Sequence, residues 1–527
     1  MDSQQRHILD LSRRGLLRGA LGMVALAATQ GVAPRAVGAP ALAGDPFTLG
    51  VASGDPWPDG VVLWTRLAPE PLAGGGMPRL ALPVAWDIAH DPEFRAVAAT
   101  GEALARPELA HAVHVEVSGL QPGRTYWYRF RYGAWLSRTG RTRTAPATDA
   151  APPLLRFVNA GCQNYQQGYF TAWKHVAEEE ELDFVFHYGD YIYESGRNAN
   201  AIRFHEGPEP VSLDEYRARY ALYKLDPDLA AAQAVHPFLP SFDDHEVQNN
   251  WAGPFSQDDG SRPNRPAVPP EVFALRKQAA FQAWYEHMPL RRAQLPHGPE
   301  IEAYRALRYG RLLDIAVLDT RSFRTDQPCG DGVKPVCAAQ QDPAAQMIGP
   351  AQEAWLARGL GRSQASWRLL AQQVPMLRVD AGKDATQRLH MDKWDGYPAA
   401  RRRVFEALQA PRNLVVVSGD VHVALAGTLK LDYDREDSPA IGTEFTASSI
   451  SSGGDGSEVK RGTPAEMARN PHLAFFNAWR GYTLHEVTGT TFSATYRAVS
   501  HVTTPGAARE DRARFVVEAG RPGPVRA

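Results

Sequence analysis

The most informative segment of the chain is Phe184-Val185-Phe186-His187-Tyr188-Gly189-Asp190-Tyr191-Ile192-Tyr193, in which a short apolar run passes directly into a polar turn. An apolar run of this length, bounded by a turn, is typical of a strand buried on both faces of a sheet. A second apolar run, 154–158, precedes it, and residues 169–180 between the two have a helical pattern. Strand, helix and strand in this order predict an α/β layered domain.

The same pattern continues towards the C-terminus. Residues 312–318 and 413–417 form further apolar runs, and residues 271–288 and 351–358 have helical patterns. We therefore expect one α/β domain with a C-terminal extension over residues 150–527.

The preceding residues, 44–148, have the character of an all-β domain. Strand-like alternating runs are separated by Gly and Pro, which predicts a small β-sandwich. Within it, residues 120–130 resemble the turn and following strand of fibronectin type III domains, where aromatic side chains fill the core. A stretch rich in Pro, Ala and Thr, 145–153, is predicted to end this domain.

The composition favours small-molecule chemistry. The 527 residues carry 57 Lys and Arg against 59 Asp and Glu, a net charge of −2. Because the chain lacks a basic excess, we expect no nucleic-acid scaffold role and no attachment to an anionic membrane surface. Among its three cysteines, Cys329 and Cys337 are close enough in sequence for one local bridge, which leaves Cys162 alone. A monomer is expected.

The first 43 residues indicate export. Arg13 and Arg14 are followed by a moderately apolar run, 19–33, and then by small residues with the spacing of a cleavage site. This pattern is typical of a twin-arginine signal peptide, so the export machinery is a predicted partner and the mature chain is expected in the periplasm or outside the cell. Proteins that use this route cross the membrane folded, which favours a cofactor inserted beforehand. No later segment has the length of a membrane span.

Four apolar runs are each followed by polar residues that ligate metals or ionise. In layered α/β folds, such residues meet in the crevice outside the carboxyl ends of the strands. Several carboxylates at one rim repel each other unless cations balance them, so the pattern predicts two or more metal ions. The four segments are Asn159-Ala160-Gly161-Cys162-Gln163-Asn164, His187-Tyr188-Gly189-Asp190-Tyr191-Ile192-Tyr193, Asp243-Asp244-His245-Glu246-Val247-Gln248-Asn249-Asn250 and Ser418-Gly419-Asp420-Val421-His422.

Each segment also has a purely structural interpretation. A single Gly-Asp pair is usually a turn, a single cysteine is usually a core residue, and Asp-Asp-His-Glu could cap a helix. The occurrence of all four at strand ends favours the metal site, with Asp190 able to present one oxygen to each of two ions.

These motifs resemble the PhoD-type alkaline phosphatases of the calcineurin-like metallophosphatase superfamily. The resemblance extends to the opening Phe47-Thr48-Leu49-Gly50-Val51-Ala52-Ser53-Gly54-Asp55-Pro56 and to Leu318-Asp319-Thr320-Arg321, so it covers nearly the whole mature chain. Asp244 stands where the superfamily usually has Asn, and Asp420 where it has the first His of Gly-His-x-His. The resemblance implies a four-layered sandwich, two mixed sheets flanked by helices, after the fibronectin type III-like domain.

The resemblance also implies Fe3+ together with one or two Ca2+ ions. Iron would be held by Cys162, Asp190, Tyr193 and His422, with a Gly-Asp-x-x-Tyr spacing that is similar to purple acid phosphatases. Calcium would share Asp190 and take the remaining oxygen ligands. These are Asp420, Asp244 and an asparagine, Asn249 or Asn250, and the choice between Asp243 and Asp244 stays open.

The implied activity is hydrolysis of phosphate esters by water that the cations ionise, in a secreted enzyme for phosphate scavenging. His245 is expected to stabilise the transition state or protonate the leaving oxygen; the alternative is a histidine bonded to Asp243. Arg321 is expected to bind a substrate phosphate, or else to contact Asp319. The sequence leaves two other functions open: a phospholipase D-like phosphodiesterase, and a non-catalytic metal-bearing binding protein.

Overall fold

The computed structural model describes residues 40, 42, 44–258, 260, 265–408 and 413–527. The predicted twin-arginine motif, Arg13-Arg14, lies outside the described residues, as does nearly all of the predicted signal. Among the helices of the described ranges, none has the length and apolar character needed to cross a membrane.

Within the described residues the chain forms 25 strands and seven α-helices. The helices are α1 Thr171–Ala177, α2 Leu213–Lys224, α3 Pro227–Val235, α4 Pro270–His287, α5 Gly349–Arg358, α6 Pro398–Leu408 and α7 Thr463–Arg469. The strands are β1 Val51–Trp57, β2 Gly60–Arg66, β3 Leu82–Ala89, β4 Val97–Ala105, β5 Ala112–Val117, β6 Thr125–Tyr132, β7 Trp135–Leu136, β8 Gly140–Arg143, β9 Leu155–Ala160, β10 Phe184–His187, β11 Pro237–Pro240, β12 Arg305–Tyr309, β13 Leu313–Val317, β14 Val333–Pro335, β15 Trp367–Ala371, β16 Arg388–His390, β17 Leu414–Ser418, β18 Ala424–Lys430, β19 Ala440–Thr446, β20 Gly456–Ser457, β21 Leu473–Trp479, β22 Gly481–Val487, β23 Thr491–Val499, β24 Arg509–Glu518 and β25 Arg521–Arg526.

Two mixed sheets form the body of the protein. The larger has the order β25-β24-β23-β22-β9-β10-β11-β1-β2-β5, and the second has the order β12-β13-β15-β17-β19-β18-β21-β20. Strands β9, β10 and β11 are parallel to one another, as are β13, β15, β17 and β19. The predicted mixture of buried strands and helices is confirmed, and the apolar runs of the sequence become β9, β10, β13 and β17.

Three apolar clusters hold these sheets and helices together. One joins the two sheets directly and includes Phe157 and Phe186 of the larger sheet with Val415 of the second. Another joins the larger sheet to α1, α2, α3 and α4, and the third joins the second sheet to α5 and α6. Because apolar burial on both faces of each sheet removes water from the strand backbones, the sheets provide a rigid base for the turns that follow the strands.

The N-terminal region shares a sheet with the rest of the chain. Strands β3, β4, β6, β7 and β8 form a sheet of their own, whereas β1, β2 and β5 belong to the larger sheet, where β1 pairs in parallel with β11. An apolar cluster joins the two layers. The N-terminal β domain is thus present, but hydrogen bonding is continuous across the predicted boundary near residue 148, which stays a prediction.

The predicted disulfide is present. Cys329 is bonded to Cys337 with their Cα atoms 6.3 Å apart, and Cys162 is a free, buried cysteine. The disulfide closes a loop that contains β14, which pairs with β16 in a small antiparallel sheet.

Candidate metal centre

The predicted ligands lie in turns at the carboxyl ends of the strands. Cys162 follows β9, Asp190 follows β10, and Asp420 and His422 follow β17. All four have positive φ, at 50°, 53°, 65° and 56° respectively. L-residues seldom adopt this left-handed region, and such strained positions concentrate at functional sites. The surrounding fold therefore holds these side chains in orientations that the isolated turns would not favour.

The first group of candidate ligands contains sulfur, nitrogen and oxygen donors. Cys162, Asp190 and His422 each offer a ligand atom within 4.8 Å of the others. The Sγ of Cys162 donates to Oδ2 of Asp190 at 3.2 Å, and the Oη of Tyr193 donates to the same oxygen at 2.8 Å. Tyr193 Oη also lies 3.0 Å from Nε2 of His422. The structure thus brings together the four residues predicted to hold iron.

Two further groups extend from Asp190. One contains Asp190, Asp244 and His245, and the other contains Asp243, Asp244 and Asp420. Asp190 belongs to the first and second groups and Asp244 to the second and third. A carboxylate shared between neighbouring groups is the arrangement by which one side chain bridges two cations.

Asp190 and Asp243 are buried carboxyl groups whose charged forms are disfavoured. Burial raises the pKa of Asp190 well above its usual range, and neighbouring Asp244 and Asp243 raise it further against the opposing effect of His245. Burial likewise raises the pKa of Asp243 despite its contact with Arg321. Asp190 Oδ1 and Asp243 Oδ2 are buried and have no hydrogen-bond partner. Buried carboxylate oxygens without donors fit metal ligation, because a cation supplies the missing positive charge.

The two candidate asparagines have different surroundings. The backbone N–H of Asn250 donates to Oδ2 of Asp244 at 2.8 Å, and its side-chain Nδ2 donates to both oxygens of Asp331 at 2.8 and 2.9 Å. The backbone N–H of Asn249 instead donates to Glu194 at 2.7 Å. Of the two asparagines, Asn250 is therefore the one that is hydrogen-bonded to Asp244.

Known proteins are similar to this chain in sequence and fold. The PhoD-like phosphatase family matches residues 157–496, and the family of its N-terminal domain matches residues 31–146. Alkaline phosphatase D of Bacillus subtilis (strain 168) is 46% identical over 492 residues, which are 92% of this chain and 83% of that protein. The chain belongs to the PhoD-like phosphatase family. A solved structure described as "Structure of PhoD" superposes with a TM-score of 0.89 at 45% identity, covering 93% of each chain.

Membership in the PhoD-like phosphatase family identifies the activity. The chain is a phosphatase, a phosphoric ester hydrolase, and the family implies that it depends on metal. The three groups of Cys, His and Asp side chains described above are the candidate metal-binding groups of the described residues.

His245 of the phosphatase is held by an ion pair. Its Nδ1 lies 2.6 Å from Oε2 of Glu194, and its ring packs against Tyr193 with centroids 4.1 Å apart. Burial opposes a positive charge on this ring, but Glu194 and then Asp244 outweigh it, and the pKa of His245 is raised well above its usual range. The histidine thus contacts Glu194, and not Asp243 as the structural alternative proposed.

Arg321 of the phosphatase is enclosed by carboxylates and has no exposed surface. Its Nε donates to Asp243 at 2.6 Å, and its Nη1 donates to both oxygens of Asp392 at 3.0 and 2.9 Å. Its Nη2 is 3.8 Å from Asp244 and 3.6 Å from Asp420. The structure therefore places buried acids where sequence reasoning expected a substrate phosphate. The predicted contact with Asp319 is made by the backbone N–H of Arg321, at 2.9 Å.

Several residues around the site were not singled out from the sequence. Glu246 accepts backbone N–H groups of Asp190, Tyr191 and Asp243 at 3.2, 2.5 and 2.9 Å, so one carboxylate holds two of the turns together. Its position next to His245 could have drawn attention to it. Lys393, which contacts Asp420, follows the short strand β16, and no sequence feature beside it indicates a role at the site.

Two more residues contact the His422 turn and its neighbour Tyr193. Arg480 Nη1 donates to the backbone oxygen of His422 at 2.7 Å. Ser452 Oγ, in the loop 448–456, donates to Tyr193 Oη at 2.7 Å. Loop and turn are thus connected through side chains far apart in sequence.

Proposed function

We propose that this phosphatase is an exported iron- and calcium-dependent enzyme that hydrolyses phosphate mono- or diesters and serves phosphate scavenging. The observation that carries the proposal is the shared position of Asp190 between a group with thiol, phenol and imidazole donors and a group with carboxylate oxygens. Thiolate and phenolate suit an oxidised transition metal, whereas oxygen donors suit Ca2+.

The ligand assignment follows from these two donor sets. Cys162, Asp190, Tyr193 and His422 would hold iron. Asp190, Asp244 and Asp420 would hold calcium, together with Asn250, which the contact with Asp244 favours over Asn249. When bound, such cations neutralise phosphate oxygens and ionise water for attack on phosphorus.

His245 and Arg321 would each have a role in this reaction. His245, whose Nδ1 is engaged by Glu194, would hold a proton on Nε2 for the leaving oxygen. Arg321 would hold Asp243 and Asp392 in place, since its donors already face these two carboxylates.

Export is supported by the twin-arginine pattern in residues 1–43 and by the Cys329–Cys337 disulfide, which suits an oxidising compartment. We further infer a monomer, a fibronectin type III-like domain over 44–148, and a four-layered catalytic sandwich over 150–527. The three apolar clusters between and outside the two sheets support the layered arrangement.

The test combines metal analysis with single substitutions. Protein exported through its own signal should contain iron and calcium and show a visible tyrosinate-to-iron band. Asp190→Ala and Cys162→Ala should each lose iron, the band and phosphatase activity, because each removes a donor from the shared group. Asp437→Asn, at a side chain that is 75% exposed, should retain all three.

The proposal fails if Asp190→Ala or Cys162→Ala keeps full turnover, or if colourless, metal-free protein is fully active. Rates on p-nitrophenyl phosphate and on its bis ester then separate a monoesterase from the phospholipase D-like phosphodiesterase.

A further inference from the structure

The disulfide-closed loop, residues 329–337, contacts the candidate metal centre through Asp331. Both carboxylate oxygens of Asp331 accept from Nδ2 of Asn250, and Oδ2 also accepts from Gln257 at 3.3 Å. Because both hydrogen bonds are donated by Nδ2, the amide nitrogen of Asn250 faces Asp331. The amide oxygen Oδ1 of Asn250 is thereby turned away from Asp331.

A second residue beside the loop holds the backbone of the same asparagine. Gln327 Nε2 donates to the backbone oxygen of Asn250 at 2.7 Å and to Asp392 Oδ1 at 2.8 Å. Asn250 in turn donates its N–H to Asp244 at 2.8 Å, with φ of 50°. Side chain, carbonyl and N–H of Asn250 are thus all engaged, and two of these contacts come from residues 327–331.

The loop also reaches the opposite side of the centre. Its strand β14 pairs with β16, and the backbone N–H of Met391 donates to the oxygen of Gly332 at 2.9 Å. Asp392 and Lys393 follow Met391 directly. Asp392 contacts Arg321, and Lys393 contacts Asp420. The loop therefore contacts two segments beside the group formed by Asp243, Asp244 and Asp420. One carries Asn250, and the other carries Asp392 and Lys393.

We propose that the Cys329–Cys337 loop is a positioning element for calcium, in which Asp331 orients Asn250 and the disulfide holds Asp331 in place. Outer partners of metal ligands typically contribute about 10–100-fold to metal affinity. The disulfide constrains the loop at Cys329, whose φ of 64° a non-glycine residue seldom adopts, whereas Gly330 and Gly332 adopt their positive φ without strain. This inference rests on the calcium site of the proposed function.

The test is calorimetric titration of the full, chelator-treated chain with calcium chloride alone. Asp331→Ala should weaken calcium affinity about 10–100-fold. The double variant Cys329→Ser/Cys337→Ser should weaken it in the same direction, and Asp331→Asn, which keeps one acceptor oxygen for Asn250, should weaken it less. Val336→Ala is the control, because this side chain lies within the same loop and is 44% exposed.

A second measurement separates positioning from damage to the fold. If Asp331 acts through calcium, the kcat of Asp331→Ala recovers at raised calcium, whereas a disordered site does not recover. Unchanged calcium affinity in both Asp331→Ala and the double serine variant overturns the inference, as does lost activity that calcium does not restore. A wild-type chain that binds no calcium would instead refute the proposed calcium site itself.

Discussion

The substitution Gly419→Ala tests how closely the turn after β17 packs against its neighbours. A Cβ atom at residue 419 would lie 2.1 Å from Cε2 and 2.3 Å from Cζ of Tyr188. The Tyr188 ring is fully buried and its Oη donates to Ser448 at 3.0 Å. A Cβ at Gly161 would likewise lie 2.6 Å from Cε2 of the same ring. The Tyr188 ring is thus in close contact with the turns at both Gly161 and Gly419.

The size of the effect follows from these distances. Carbon atoms in contact are about 3.5–4.0 Å apart, so ring and turn must separate by about 1.5 Å. Overpacking of this kind costs about 1–3 kcal/mol of stability. Because Asp420 and His422 are in the same turn, they move relative to Asp190, and a displacement of about 1 Å can lower turnover about 100-fold.

The assay is kcat on p-nitrophenyl phosphate with saturating metal, alongside the thermal unfolding temperature. Gly419→Ala should lower both. Gly489→Ala is the matched control, because a Cβ there meets no atom within 4 Å, and it should change neither. Wild-type kcat and stability in Gly419→Ala would show that the turn does not depend on contact with Tyr188.

Two further predictions concern buried charges. Burial raises the pKa of Glu444 from 4.5 to about 7. The folded chain should therefore lose about 2.5 kcal/mol of stability between pH 5 and pH 8, as this group ionises. Glu444→Gln should remove that part of the pH dependence of unfolding. Arg321→Met should cost about 3–5 kcal/mol in urea unfolding, because Asp243 and Asp392 lose their shared cation; a raised KM with unchanged stability would instead indicate phosphate binding.

Much of the candidate site could be predicted because a local sequence pattern marks its candidate ligands. Cys162, Asp190, Asp420 and His422 each follow an apolar run, and a run that ends in polar residues indicates both a buried strand and the turn after it. The local pattern does not specify why residue 419 is glycine. Positive φ occurs at Asp420 and His422, and Gly419 is required by its close contact with Tyr188.

Contacts between distant segments could not be predicted in the same way. The partners of Arg321 come from residues about 70–80 positions away, Asp392 and Asp243, and nothing near Arg321 in the sequence distinguishes them from a substrate phosphate. The choice between Asn249 and Asn250 is similar, because adjacent residues share one local pattern while Asp331 and Glu194 contact them separately.

The amino-acid order alone therefore indicated the buried strands, the turns that carry the candidate ligands and the disulfide pair, since each depends on neighbours along the chain. Folding in three dimensions decided which carboxylates lie together, which acids enclose Arg321, and that β1 joins the larger sheet through β11. The physical reason is that charge pairing, side-chain contact and strand pairing depend on distance in space, which residue spacing does not specify.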